Sequence, residues 1–98
     1  MELKFDPAAL LDMDEIAEWY ESQSPGKGSE FKSYCDQALQ DILDFPLAWA
    51  KAGTRARRYL TTKFPYEIYY SVDEKMVLIV AVSHVSRRPG HWRSRLRH

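Results

Sequence analysis

Tyr66-Glu67-Ile68-Tyr69-Tyr70-Ser71-Val72, the turn Asp73-Glu74-Lys75 and Met76-Val77-Leu78-Ile79-Val80-Ala81-Val82 decide how this chain folds. The first run alternates, and its aromatic and β-branched residues suit a pleated surface. Tyr66, Ile68, Tyr70 and Val72 share its more apolar face, while Glu67, Tyr69 and Ser71 share the other. The second run is apolar at every position, so both faces of that strand must be covered and it belongs at the centre of a sheet. Pro65 separates the pair from an earlier strand at about Arg55 to Thr61.

Upstream of Thr54 the period is helical. Asp6-Pro7 starts a helix, with Asp6 placed to cap free amides and Pro7 suited to the first turn. That helix runs to about Glu21, with Leu10, Met13, Ile16, Ala17 and Tyr20 as its buried stripe and Asp12, Glu15, Glu18 and Glu21 as an acidic outer face. Ser24-Pro25-Gly26-Lys27-Gly28 is a turn. A second helix from about Ser29 to Phe45 carries Phe31, Cys35, Ala38, Leu39 and Ile42, and Pro46 ends it. The short connection implies an antiparallel helix hairpin. With Glu2–Phe5 as a first strand, the order is β-α-α-β-β-β. The expected fold is α+β, a largely antiparallel sheet with the hairpin on one face.

The 98 residues fit a single domain spanning 1–98, with a basic tail from about residue 86. Apolar residues at 45% are enough for a core and argue against disorder. The single cysteine, Cys35, falls in the helix stripe and reads as a buried structural thiol. The start lacks the basic and long apolar segments of a signal peptide, and the run Met76–Val82 is too short to cross a bilayer, so a cytoplasmic protein without a membrane partner is expected.

Charge is sorted by half. Residues 1–50 hold 3 Lys/Arg and 11 Asp/Glu, and residues 51–98 hold 11 and 3, so the halves carry −8 and +8. No acid follows His84, and Arg87, Arg88, Trp92, Arg93, Arg95 and Arg97 crowd the end. Arginine interleaved with aromatics points to an anionic partner, either a polyanion or an acidic protein.

On the early strand, Ala56, Arg58, Leu60 and Thr62 share one face, and Arg55, Arg57 and Tyr59 the other. With Leu60 turned to the core, the face away from the helices carries Arg55, Arg57, Tyr59, Tyr69 and Glu67. That set can hold phosphates and stack a base. Ordinary cross-strand pairing of Arg with Glu67 and Tyr with Tyr explains it equally well. His84, His91 and His98 lack metal-ligand spacing, no phosphate-cradling glycine loop is present, and no metal or cofactor is expected. His84, at the end of the central strand, is either a structural hydrogen-bonder or a titrating group.

Several short pieces in one order resemble the RelE/ParE toxin superfamily of bacterial type II toxin–antitoxin modules. They are Ala17-Glu18-Trp19-Tyr20-Glu21, Pro25-Gly26-Lys27-Gly28 with Phe31, Phe45-Pro46, Gly53 with Arg57-Arg58-Tyr59-Leu60, Phe64-Pro65-Tyr66-Glu67-Ile68-Tyr69-Tyr70, Val80-Ala81-Val82-Ser83-His84, and Arg87-Arg88-Pro89-Gly90-His91-Trp92. The resemblance implies the same β-α-α-β-β-β order and a toxin neutralised by a cognate antitoxin, of a kind that wraps its toxin with a helix and an extended segment. It implies one of two targets. Members that poison DNA gyrase cut nothing themselves, and for them Arg55, Arg57, Tyr59, Tyr69, Arg88, Trp92, Arg93 and Arg95 are the target- or nucleic-acid-binding candidates. Members that cut mRNA in the ribosome need a base, an acid and cations at the phosphate. For that reading His84 is acid or base, Arg58 and Arg87 are phosphate clamps and Glu67 is a base. Two residues depart from the ribonuclease pattern: Glu67 stands where an arginine is common, and Trp92 stands near an expected terminal tyrosine, where an indole cannot act as an acid. Gyrase poisoning is therefore the favoured expectation, mRNA cleavage the alternative, and an inactive antitoxin-binding module the third.

Overall fold

The computed structural model describes residues 1–87 and 90–96. The elements are β1 (Glu2–Phe5), α1 (Pro7–Gln23), α2 (Lys27–Asp44), β2 (Ala50–Lys51), β3 (Arg57–Leu60), β4 (Tyr66–Val72), β5 (Met76–His84) and a 3₁₀ helix (Arg93–Leu96). The sheet order is β1-β5-β4-β3-β2. β1 runs parallel to β5 and the other neighbours are antiparallel. This is the expected α+β fold, with a two-residue edge strand, β2, added. No helix of the described residues is long and apolar enough to cross a membrane.

The Asp6 side chain accepts the Ala8 N–H at 2.9 Å and Pro7 opens α1, as the sequence requires. The helix hairpin is tight because of two glycines. Gly26 has φ +87°, and a Cβ at Gly28 would lie 2.5 Å from the Ala17 carbonyl oxygen of α1. Glu21 is not a solvated face residue: its carboxylate accepts the N–H groups of Gly26 and Gly28 at 2.9 and 3.0 Å and caps the start of α2. The buried stripe of α1 also differs by one position. Ala9 is fully buried while Leu10 is 46% exposed, so the small residue faces the sheet where the helix approaches it closely.

The main core lies between the hairpin and the sheet. Phe31, Cys35 and Ile42 meet Ile68, Tyr70, Val77 and Ile79 there. β5 is central and covered on both sides, as its two apolar faces demand. A bulge between Tyr69 and Tyr70 of β4 leaves Val80 without a partner, with Tyr69 opposite Ala81 and Tyr70 opposite Ile79. Val80 and Ala81 therefore both turn away from the helices. They form a second, smaller core with Ala56, Tyr69, Trp92 and Leu96.

β3 presents the opposite faces from those expected. Tyr59 is 6% exposed and packs in the main core, whereas Leu60 is 61% exposed. The tyrosine wins the buried side for two reasons. Its ring packs edge-on to Trp49 at 4.6 Å, and its hydroxyl donates to the Asp41 carboxylate of α2. Leucine offers no such bond to the helix.

Candidate functional site

The face of the sheet turned from the hairpin carries the chemistry. β3 and β4 pair with Arg58 opposite Tyr69 and Leu60 opposite Glu67. Alternation then places Arg58, Leu60, Glu67 and Tyr69 together. The Arg58 guanidinium donates to Glu67 Oε2 at 3.2 Å, and the Tyr69 hydroxyl donates to Glu67 Oε1 at 3.1 Å. Both carboxylate oxygens are thus engaged, and the Glu67 side chain is only 13% exposed. Burial, then the Glu67 charge, pushes the Tyr69 phenol up from its ordinary value.

The C-terminal segment folds back over this face. Trp92 is buried and stacks on Tyr69, with centroids 4.7 Å apart and planes at 24°. Leu96 is buried beside it. Two arginines expected at a target surface hold this segment down. Arg55 donates to the Leu96 carbonyl oxygen. Arg95 donates to Asp12 Oδ2 at 2.8 Å and to the Val80 carbonyl at 3.0 Å. Asp12 Oδ2 also accepts the Val82 N–H at 3.0 Å. The reason lies in the sheet: β1 pairs with β5 only as far as Ile79, so the edge beyond it would be bare. Asp12 and Arg95 together close that edge, and Asp12 is withdrawn from the acidic outer face. Tyr69 and Trp92 are likewise packed against each other and have no free ring face for a base.

Arg57 and Tyr59 lie on the helix side, which corrects the expected grouping. Arg57 donates to the Trp49 carbonyl at 2.7 Å. Burial, then its bond to Asp41, pushes the Tyr59 phenol up to about 12.

His84 also lies apart from Glu67. It pairs with Tyr66 while Glu67 pairs with Ser83, so alternation sends the imidazole and the Glu67 carboxylate to opposite faces. The His84 ring packs edge-on to Tyr66 at 5.3 Å. Its Nδ1 accepts the Ser86 N–H at 3.0 Å and lies 2.7 Å from the Ser86 hydroxyl. Arg87 is exposed in the turn that follows, and Arg88 lies outside the described residues. Of the four cleavage candidates, only Arg58 and Glu67 meet. Cys35 is fully buried, and burial pushes its thiol up to about 12, which suits a structural role.

Three further residues border the same face: Lys51 of β2, Gly53 and Gly90. With Arg58, Trp92 and Arg93 they line a shallow cavity of about 230 Å³. Lys51 and Gly53 carry no helical or strand periodicity, so the sequence gave no reason to single them out. Trp92 and Leu96 did leave a signal. A strand apolar on both faces needs a second cover, and they are the apolar residues of the tail.

The chain matches the family model described as ParE toxin of type II toxin-antitoxin system, parDE, over residues 3–89. Its fold is similar to a solved chain of the chromosomal ParDE TA system from P. aeruginosa, with a TM-score of 0.66. That alignment covers 87% of this chain and 96% of the other at 15% identity. Comparison with curated proteins gives no match.

Proposed function

The chain belongs to the ParE toxin family of type II toxin–antitoxin systems, and from that membership we propose that it arrests bacterial growth by binding an essential target, DNA gyrase, without cutting nucleic acid itself. The observation that carries this reading is the division of the cleavage candidates. Ribose-directed cleavage needs a base, an acid and cations around one phosphate. His84 and Glu67 sit on opposite sides of the sheet, and Glu67 is already held by Arg58 and Tyr69. Trp92, at the position where a terminal acid would act, is buried and has only an indole N–H to donate.

Family membership implies an antitoxin partner. In this reading an acidic antitoxin segment neutralises the toxin over the basic half, where Arg58, Arg87 and Arg93 are exposed. Such pairing is fast and weakens with salt. The test is purified protein added to gyrase and relaxed plasmid. Inhibited supercoiling, restored by the antitoxin, is the expected result. Full supercoiling at a large excess of toxin would overturn the gyrase assignment.

A further inference from the structure

Arg93 occupies an unusual place. Its guanidinium lies between two loops that meet only there, at Gly53 and Gly90. A Cβ at Gly90 would approach Arg93 Nε at 3.3 Å, and one at Gly53 would lie 3.9 Å from its Nη2. Both glycines have positive φ, +78° and +83°, so each loop turns its backbone toward the arginine. The guanidinium also sits over the Trp92 ring, 5.7 Å from its centroid. Arg93 is thus positioned on three sides. No carboxylate pairs with it, or with Lys51, among the described residues. Arg58 gives one bond to Glu67 and remains 50% exposed. The cavity of about 230 Å³ between them therefore has three converging cations and one acid.

Two more cavities adjoin it. Arg58 also borders a space of about 500 Å³ whose walls include Trp49, Leu60 and Val85. Leu60 and Val85 are 61% and 46% exposed. Arg93 and Gly53 also border a space of about 350 Å³ that reaches Arg55 and Leu96. Cationic and apolar surfaces alternate along this line.

We propose that Lys51, Arg58 and Arg93 form a phosphate-binding cup, and that the three joined cavities seat a single-stranded nucleic acid. A carboxylate is planar, and one arginine fork satisfies it. Three donors approaching from β2, β3 and the 3₁₀ helix match the spread oxygens of a phosphate. The apolar wall at Leu60 and Val85, one step away, suits the sugar and base that a phosphodiester carries and an acidic side chain lacks. The buried Tyr69–Trp92 pair braces the cup and does not stack on bases.

The inference goes beyond the toxin reading and fails separately from it. Binding of a fluorescein-labelled single-stranded oligonucleotide, as DNA and as RNA of the same sequence, is read by anisotropy across a salt series. Lys51→Ala and Arg93→Ala should each weaken binding about five- to tenfold and lower the salt slope by about 0.7, the increment for one phosphate on a single strand. Lys75→Ala, in the β4–β5 turn, should leave both unchanged. Circular dichroism and urea midpoints equal to the parent's keep the comparison about binding. No binding by either strand, or cup variants that bind like the parent, would overturn the proposal. Displacement by polyglutamate of matched charge as readily as by unlabelled oligonucleotide would also overturn it, by making the cup a seat for an acidic protein. Lost gyrase inhibition with oligonucleotide binding intact would fault the proposed function alone.

Discussion

Replacing Asp12 by alanine should destabilise the protein by about 3 kcal/mol, although Asp12 sits on a helix near the surface. The magnitude follows from its bonds. Asp12 Oδ2 accepts from Val82 N–H at 3.0 Å and from Arg95 at 2.8 Å, and both side chains of the ion pair are largely covered, 16% and 22% exposed. A hydrogen bond to a charged group contributes about 1.5–3 kcal/mol, and an orphaned buried N–H costs about 1–3 kcal/mol. Two such losses, discounted for the remaining exposure, come to about 3 kcal/mol. For a chain of this size that is a fall in Tm of roughly 12–24 °C. Arg95→Ala should cost less, about 1–2 kcal/mol, because Asp12 still receives the Val82 N–H. Asp12→Asn keeps an acceptor and should fall between them. Urea unfolding followed by tryptophan fluorescence measures all three, and the double variant gives the coupling between the partners. An Asp12→Ala midpoint within about 0.5 kcal/mol of the parent would refute the reasoning. The tail would then not be clasped, and Arg95 would return to the list of free target contacts.

Three other outcomes follow from the packing. Trp92→Ala should cost about 3–4 kcal/mol by emptying the second core, and Trp92→Phe clearly less, both measured in urea. Tyr59, Tyr66 and Tyr70 have phenols pushed from 10.0 up to about 12, chiefly by burial. The native state therefore keeps protons that the unfolded chain releases; stability is full below pH 10 and should fall as pH rises toward 12, read by near-ultraviolet phenolate absorbance alongside circular dichroism. Cys35, buried with its thiol up at about 12, should resist thiol reagents in the folded protein at mildly alkaline pH and react at once in denaturant.

Period and composition carried much of this structure into the sequence. β4 spans Tyr66–Val72 as its alternation indicates, and the unbroken apolar run of β5 required cover on both faces. What stayed hidden depended on partners distant in the chain. The side chosen by β3 turned on Tyr59 reaching Asp41, 18 residues away, and Leu60 taken alone pointed the other way. The acidic stripe of α1 reads as solvated because the partner of Asp12 is Arg95, 83 residues on. For the site, arginines could be counted but not assigned. Arg55 and Arg95 anchor the tail and Arg57 braces the helix side, while Arg58 and Arg93 remain on the exposed face. The cup needed Lys51, Gly53 and Gly90, whose only signal is a meeting of two loops.

The most direct test of the central claim is induced expression in a bacterial host without antitoxin, with the ends of total mRNA mapped within minutes. The account predicts growth arrest with mRNA intact. Arrest accompanied by new cleavage sites inside translated codons would contradict it and make this chain a ribonuclease.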